Sequence, residues 1–566
     1  MNGWDREVDL LVVGTGAAGL SAAITGADAG LKTLVVESTE LWGGTTMRSG
    51  GGLWMPTNPL MNGFGVKDSV EDALTYMEAA IGEAGPASSA ERRWAFVHAV
   101  PSVFSLLDRL GMTWAAAKDY PDYYPDRPGG RVGRSIEPVP FDAKVLGDWL
   151  KSSRYKEGLP VPLKNDDVWL LSRAWSSPSG FIRGARFVFR TLGGLLTGKK
   201  LFGMGSALSM NLMHIVRKQG TEVLLSSPLS DLILEDGKVV GAVITTAKGE
   251  ERIRARAGVV LAAGGFAQNK EWRQKYHGVP GYSSAAPGDQ GTAIEIGHRA
   301  GGALAMMDDA WWGSAVPDTD GSAQFMLSER SMPFSIIVDQ SGARYTNESQ
   351  SYIDFGHDLL NRNKEVAALP SWLILDHRHR QRYLASSLMM KGKGKREQGI
   401  VVTAPSLDEL AEKMSIDPAA LRATVERFNG FAKTGVDADF GRGRTVYDNY
   451  YGDPRVKPNP NLGTIEKGPF TAVQIVPGDL GTKGGLLTDE HARVLDESGA
   501  PIDGLYAAGN NTASVMGHTY PGPGSTISPA VIFGYLGARH AAEQLIMAGA
   551  TQTSTIQTLE TETVLP

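Results

Sequence analysis

Apolar residues along this chain fall in short runs that end in glycine-rich turns. The first run, Val8–Val13 (VDLLVV), predicts a short buried strand. Gly14-Thr15-Gly16-Ala17-Ala18-Gly19 follows at once, and then LSAAITGADAG, a segment of helix-forming composition. A second strand, Thr33–Val36, ends at Glu37, eighteen residues after Gly19. The strand-then-turn pattern returns at Gly258–Gly265 (GVVLAAGG) and at Gly504–Asn510 (GLYAAGN). Three such turns suit a ligand site where the order of a parallel sheet reverses. The stretch between the last two reads differently. Ser335–Asp339 predicts a strand closed by a turn at Gln340-Ser341-Gly342. A helix is predicted from Leu407 to Lys413, with Ser406 and Glu409 forming a capping box. Another runs from Pro418 to Ala432, with Asp417 as N-cap and a break at Gly435. Thr551–Pro566 is polar and threonine-rich and reads as a loose tail.

Each position of the first turn has a task. Gly14 makes the bend, Gly16 lets backbone approach a pyrophosphate, and Gly19 packs helix against strand. The helix N-terminus offers free N–H groups and a favourable dipole to phosphate. Glu37 is spaced to accept hydrogen bonds from a ribose diol. Glycine-rich turns are common in a chain with 69 glycines, so the strand, helix and acid around this one carry the reading of a dinucleotide site. The fingerprint alone does not choose between NAD and FAD.

Composition narrows the class. At 566 residues the chain exceeds one core and predicts two or more domains. Its 42% hydrophobic and 21% charged residues are ordinary for a soluble globular protein. A net charge of −6 argues against a general nucleic-acid binder. The absence of cysteine removes disulfides, thiolate metal sites, catalytic thiols and any cofactor attached through sulfur. Met1–Asp9 is polar and runs straight into a strand, and no apolar run has transmembrane length. The expected place is the cytoplasm.

One segment is unusual. Between Ser176 and Lys218 lie seven basic residues, Arg183, Arg186, Arg190, Lys199, Lys200, Arg217 and Lys218, with Arg173 just before and no Asp or Glu. On a helical projection Phe181, Ala185, Val188, Phe189, Leu192 and Leu196 share a face, opposite Arg183, Arg186 and Arg190. Two readings stay open. Residues 181–196 either lie on the anionic inner face of the cell membrane, or pack on their own domain with a solvated basic face.

Trp42-Gly43-Gly44-Thr45-Thr46, then Ser49-Gly50-Gly51-Gly52, resembles the loop after the ribose acid in FAD-dependent reductases and dehydrogenases. Gly504–Asn510 resembles the strand and turn that bring such chains back to the flavin. The resemblance implies FAD, held noncovalently because no histidine follows Gly44. The implied contacts are Gly14, Thr15, Gly16, Ala17, Ala18, Gly19, Glu37, Ser38, Gly43, Gly44, Thr45, Thr46, Ser49, Gly50, Gly51, Ala263, Gly264, Gly509 and Asn510. The implied fold is α/β, a Rossmann-like FAD-binding domain (GR2-type) with an inserted α+β catalytic or cap domain. The boundaries follow: 1–309 and 482–566 for FAD binding, including the basic segment at about 176–218, and 310–481 for the cap.

Five further segments make the resemblance more specific. They are Tyr120-Pro121-Asp122-Tyr123-Tyr124, GGRVGRSIEP (Gly129–Pro138), RYTNES with Tyr352, GDLGTKGG (Gly478–Gly485) and Tyr520-Pro521-Gly522-Pro523-Gly524. With them the chain resembles the bacterial 3-ketosteroid Δ1-dehydrogenases over essentially its full length. That family takes a hydride from C1 of the steroid onto FAD and a proton from C2. Its tyrosines fall on Tyr123, Tyr352 and Tyr520 and its backbone donor on Gly524. The resemblance makes Tyr352 the base, Tyr123 its hydrogen-bond partner, and Tyr520 and the Gly524 N–H the pair that polarises the C3 carbonyl. The chemistry agrees. A C–H bond beside a ketone is a very weak acid until two fixed donors stabilise the enolate. Gly524 has no side chain to hold off a flat substrate. Tyr124 and Tyr345 read as packed rings, and Asn347 and Glu348 as braces of a turn. Trp311 and Trp312 suit a wall of an apolar pocket.

Other readings remain. A steroid Δ4-dehydrogenase is near, and a fumarate-reductase-like flavoprotein shares the split domain and a GTKGG stretch, with Arg344 available as proton donor. From a different class, a catalytically silent flavin module would use the basic segment to bind membranes. The implied partners are a 3-ketosteroid and an electron acceptor such as a quinone or dye, with no nucleic acid and no metal.

Overall fold

The computed structural model describes residues 3–157, 161–171, 174, 177–383 and 390–562. Arg173, Ser176 and residues 563–566 lie outside the described residues. Five strands run parallel in one sheet, in the order Pro501–Ala507, Gly249–Leu261, Arg6–Val13, Thr33–Val36 and Glu222–Leu224. The meander Leu229–Glu235 and Lys238–Thr246 and the strand Arg493–Leu495 add antiparallel pairings. Register aligns the ends: Val13 pairs with Val36 and Leu261, and Leu261 with Ala507. The turns that follow, at Gly14, Glu37, Ala262 and Ala508, therefore leave the sheet along one edge. The helix Ala17–Asp28 covers the sheet, and the helix Ile527–Glu562 packs on it, with the Ser21 hydroxyl donating to the Val531 carbonyl at 2.7 Å.

A second, antiparallel sheet is organised around the thirteen-residue strand Phe470–Thr482. Ala310–Pro317, Ser371–Leu375 and Val401–Ala404 pair with it directly, and Ala323–Met326 and Ser335–Val338 extend it. Side chains alternate across this sheet. Ile336, Val338, Ile374 and Ala472 meet the helices Leu407–Met414 and Pro418–Thr434, whereas Ile337, Leu373, Leu375 and Val473 meet Phe355 and Leu359 of the helix Tyr352–Glu365. Ser406 and Asp417 cap their helices as the sequence predicts, accepting from the Glu409 and Ala419 N–H groups. The short strand Tyr282–Ser283 joins this sheet although it precedes residue 310. A third layer, Leu53–Trp54, Ser135–Pro138 and Trp114–Ala116, packs with the helices Val70–Ile81 and Ala90–Arg109.

Two expectations are corrected here. The tail is not loose through residue 562, because the final helix continues to Glu562; no proline or glycine after Gly549 interrupts its propagation. The basic helix forms as Pro178–Leu196, but it is turned the other way. Asp167 is buried between it and the helix Asn165–Leu171 and draws Arg183 and Arg190 inward at 3.1 and 3.0 Å. Phe181, Ile182, Val188, Phe189, Leu192, Leu195 and Leu196 face outward, Phe189 at 74% and Leu196 at 89% exposure. The solvated basic face therefore does not exist at those two arginines; what is solvated is the apolar face.

Gly19 anchors helix to turn, since a Cβ there would stand 2.0 Å from the Gly14 carbonyl oxygen. Gly19→Ala is expected to destabilise the fold by about 1–3 kcal/mol, seen as a lower Tm than wild type. An unchanged Tm would mean that the helix start can shift freely.

Candidate active site

The edge where the parallel strands end opens on a cavity of about 620 Å³. Of the residues expected to touch a dinucleotide, all line it except Gly19 and Gly43. Gly19 is taken up by the helix–turn contact, and the Gly43 N–H donates to the Thr15 hydroxyl at 3.0 Å. The residues present fit FAD. The N-cap residue Gly16 has no side chain; the Ala17 N–H donates to the Thr46 hydroxyl at 2.9 Å, and Gly16, Ala17 and Ala18 line the cavity at the helix N-terminus. A Cβ on Gly16 would stand in that cavity, with the Thr46 hydroxyl 3.7 Å away as its nearest neighbour. Glu37 lines the same space, its carboxylate fixed by the hydroxyls of Thr15 at 2.6 Å and Thr39 at 3.1 Å. Asp289, buried and without a side-chain partner, also borders it. Burial, and then the charge of Asp479, push its carboxyl up to about 7. A polyol hydroxyl would satisfy that group. Among the described residues no cluster could hold a metal ion.

The same cavity reaches Tyr123, Tyr352, Tyr520 and Gly524. The three rings pack on one another, with centroids 5.5 Å apart for Tyr123 and Tyr352, 5.1 Å for Tyr123 and Tyr520, and 4.9 Å for Tyr352 and Tyr520. All three are buried. Burial raises the Tyr352 hydroxyl well above its ordinary range and Tyr520 raises it further, while a hydrogen bond from Tyr123 pulls it back. Burial also raises Tyr520, against hydrogen bonds from the hydroxyls of Thr526 and Tyr352 and the N–H groups of Thr526 and Gly524. The Gly524 N–H is thus directed at the Tyr520 oxygen, and both groups border the cavity at one place.

The third layer holds this geometry. The Pro521 carbonyl accepts from the Tyr123 N–H at 2.9 Å and the Tyr76 hydroxyl at 2.5 Å, and the Pro523 carbonyl from the Ser135 hydroxyl at 2.7 Å. Asp122, beside Tyr123, is buried and accepts from the Trp54 indole and from Arg134, each at 2.7 Å. Arg134 also bonds Asp68 at 2.6 Å. Burial outweighs Arg134 and lifts the Asp122 carboxyl to about 6.

Other expected residues find different places. Tyr124 donates to Asp354 at 3.0 Å and Tyr345 pairs with Ser371 at 2.9 Å, both satisfied rings. Glu348 and Asn347 brace the cap, Glu348 between Arg344 and Arg442 and Asn347 against Asp448. Arg344 is held by Glu348 and Asp437 and does not line the cavity, so it is no candidate proton donor there. Trp311 and Trp312 are not walls of the cavity; Trp311 backs Tyr520 edge-on at 5.2 Å and Trp312 stacks under Arg273. Sequence reasoning missed Asp289, Tyr120 and Tyr451. The last two line the cavity, and their hydroxyls are hydrogen-bonded. The string YDNYY at 447–451 was the signal for Tyr451, and YPDYY at 120–124 the one for Tyr120.

The FAD binding domain family model matches residues 9–527. The 3-oxosteroid 1-dehydrogenase of Mycolicibacterium smegmatis is 44% identical over 560 residues, covering 94% of this chain and 97% of its own. The 4-oxocyclohex-2-ene-1-carboxylate 5-dehydrogenase of Sinomonas cyclohexanicum is 35% identical over 560 residues, covering 94% and 93%. The crystal structure of 3-ketosteroid delta1-dehydrogenase from Sterolibacterium denitrificans, in complex with 1,4-androstadiene-3,17-dione, superposes with a TM-score of 0.88 at 34% identity, covering 95% of this chain and all of that one.

Acid precipitation of the purified yellow protein should release FAD, not FMN, and leave a colourless pellet. A pellet that keeps its colour would overturn noncovalent attachment.

Proposed function

The chain belongs to the 3-oxosteroid 1-dehydrogenase family of FAD-binding flavoproteins, and we propose that it introduces the C1–C2 double bond into 3-ketosteroids. The observation that supports this reading is the gathering of Tyr123, Tyr352, Tyr520 and Gly524 on one buried cavity, with the three rings packed on one another. In it, the C3 ketone oxygen takes hydrogen bonds from Tyr520 and Gly524. Charge that develops on that oxygen strengthens both bonds, which acidifies the neighbouring C2–H. Tyr352 accepts the C2 proton on its phenol oxygen, and Tyr123 donates to that oxygen and favours its anionic form. Gly14–Ala18, Glu37 and Asp289 would hold FAD, which would supply the acceptor for the hydride that leaves C1 with its electron pair. The C2–H electron pair becomes the new π bond, and a separate electron acceptor, such as a quinone, must later take the two electrons. Residues 1–309 and 482–566 serve as the FAD unit and 310–481 as the cap. A dicarboxylate substrate finds less support. The arginines on the cavity, Arg48 and Arg154, bond Ala285, Thr39 and Glu157 rather than the tyrosines.

Because burial keeps Tyr352 neutral at ordinary pH, the rate of flavin bleaching by androst-4-ene-3,17-dione should rise with pH toward the alkaline limit. Tyr352→Phe should still bind steroid but lose about 10²–10⁴ in bleaching rate. Tyr123→Phe should lose less and move the profile to higher pH, since it removes the bond that pulls the Tyr352 pKa down. Tyr520→Phe should weaken both binding and turnover, the latter by about 10²–10³. Stopped-flow absorbance across pH reads all three. Wild-type bleaching by Tyr352→Phe would leave the proton without its proposed acceptor.

Among the described residues no helix is long and apolar enough to cross a membrane. We infer instead that the outward apolar face of Pro178–Leu196 rests on an anionic lipid surface, framed by the exposed Arg186, Lys199 and Lys200. The helix before it supplies Asn165 and Val168 to the cavity, so a sparingly soluble ligand dissolved in lipid would be near the opening. Phe189→Ser with Leu196→Ser should reduce co-sedimentation with vesicles of mixed phosphatidylcholine and phosphatidylglycerol. Wild-type protein that stays in the supernatant, or that dimerises through this face, would end the idea.

A further inference from the structure

Two strands carry the chain between the two large sheets, and they cross side by side, with Ala310 paired to Thr482. The next residue outward on each, Asp309 and Lys483, is buried, and neither has a part in the chemistry above. Their backbones join, the Lys483 N–H donating to the Asp309 carbonyl at 3.1 Å, while the Lys483 carbonyl accepts from the Ser514 N–H at 3.0 Å. The Lys483 ammonium donates to the carbonyls of Gly517 at 2.5 Å and Thr519 at 2.7 Å, on either side of His518. It also lies 4.0 Å from the centroid of the Trp311 ring, which backs Tyr520 edge-on. Asp309 accepts from His518 at 2.8 Å and from His357 at 2.9 Å. His357 stands in the helix that begins with Tyr352, and His518 stands two residues before Tyr520.

We propose that Lys483 is a positioning residue that fixes the 514–519 loop and the Trp311 ring so that the Tyr520 hydroxyl is aimed at the ketone oxygen. This rests on the reading of Tyr520 as a carbonyl donor. A neutral, apolar side chain could fill the space, but it could not donate to two carbonyls at once. A buried ammonium is costly unless every proton is placed, and here two carbonyls, an aromatic face and a nearby carboxylate receive it. Burial pulls the lysine down to about 7, opposed by Asp309 and Asp354. Burial would raise Asp309, but hydrogen bonds from His357 and His518 hold its carboxyl below the usual carboxylate range. The cluster thus holds the loop that ends at Tyr520 to the helix that begins at Tyr352.

The test is a double-mutant cycle on the FAD-loaded enzyme with Lys483→Met and Tyr520→Phe. The readouts are the absorption band of bound 1,4-androstadiene-3,17-dione, which shifts to the red when its carbonyl is hydrogen-bonded, and kcat/KM. Lys483→Met should lose most of the shift and lower kcat/KM by about 10²-fold, yet cost Tyr520→Phe less than about threefold more. A full red shift in Lys483→Met, or losses that multiply in the double variant, would overturn the proposal. A Tyr520→Phe enzyme with the wild-type shift would instead reject the carbonyl-donor reading on which it rests. If Lys483→Met does not fold, His518→Gln loosens the same loop from its other side. Its loss must then also vanish in the Tyr520→Phe background, and losses that multiply there reject the proposal equally.

Discussion

A Cβ at Gly524 would stand 2.4 Å from the carbonyl oxygen of Gly52, and one at Gly522 would stand 2.3 Å from the Trp54 ring. Backbone pressed on backbone at this turn leaves the segment Tyr520–Gly524 only one seat, and much of the surrounding structure serves to keep it there. Its two prolines have no N–H to pair, and their carbonyls accept from donors of the layer opposite: the Tyr76 and Ser135 hydroxyls and the Tyr123 N–H. The strand that supplies Ser135 also follows Arg134, whose guanidinium is shared between Asp68 and Asp122. Asp122 in turn holds the Trp54 indole on which Gly522 rests. Removing one partner from such a buried network strands the others without water, which makes it rigid as well as costly to disturb.

Dryness then sets the chemistry. Burial raises the carboxyls of Asp122 and Asp289 as well as the phenols of Tyr123, Tyr352 and Tyr520. A phenol that begins near 10 becomes an effective base only if something favours its anion, and the neighbouring Tyr123 hydroxyl acts in that direction. In the proposed reaction, the same burial would strengthen the hydrogen bonds that Tyr520 and Gly524 give to the ketone oxygen. On that reading, one property of the pocket leaves less of the Tyr352 base ionised and strengthens the electrophilic side.

Much of the sheet and its turns was legible in the sequence, because strand endings and glycine positions are local facts. Thr33–Val36 and the caps at Ser406 and Asp417 needed only a few neighbouring residues to be read. The tyrosines came through resemblance, and the cavity collects all three with Gly524. What escaped was tertiary. Helical periodicity separated the two faces of Pro178–Leu196 but could not say which one turns inward. The anion that decides it, Asp167, lies just before the acid-free window, so its arginines looked unpaired. Lys483 sat inside a familiar string, and only the fold shows that its ammonium meets carbonyls of a loop 34 and 36 residues away. Trp311 and Trp312 were apolar and at the right junction, yet they stand one layer behind the wall.

The strand Pro501–Ala507 is a late arrival in a sheet begun at Arg6, and the helix starting at Ile527 closes over Ala18, where Gly534 leaves no room for a side chain. Val259–Leu261, paired to Arg6–Val13 on one side, keep their other side open until Pro501–Ala507 is reached, although the earlier residues of that strand already pair with Lys238–Thr246. Any truncation before residue 501 would preserve that exposed edge. The dinucleotide cavity takes part of its wall from Ala508, Gly509, Asn510 and Ala530, so the same truncation would leave it open as well.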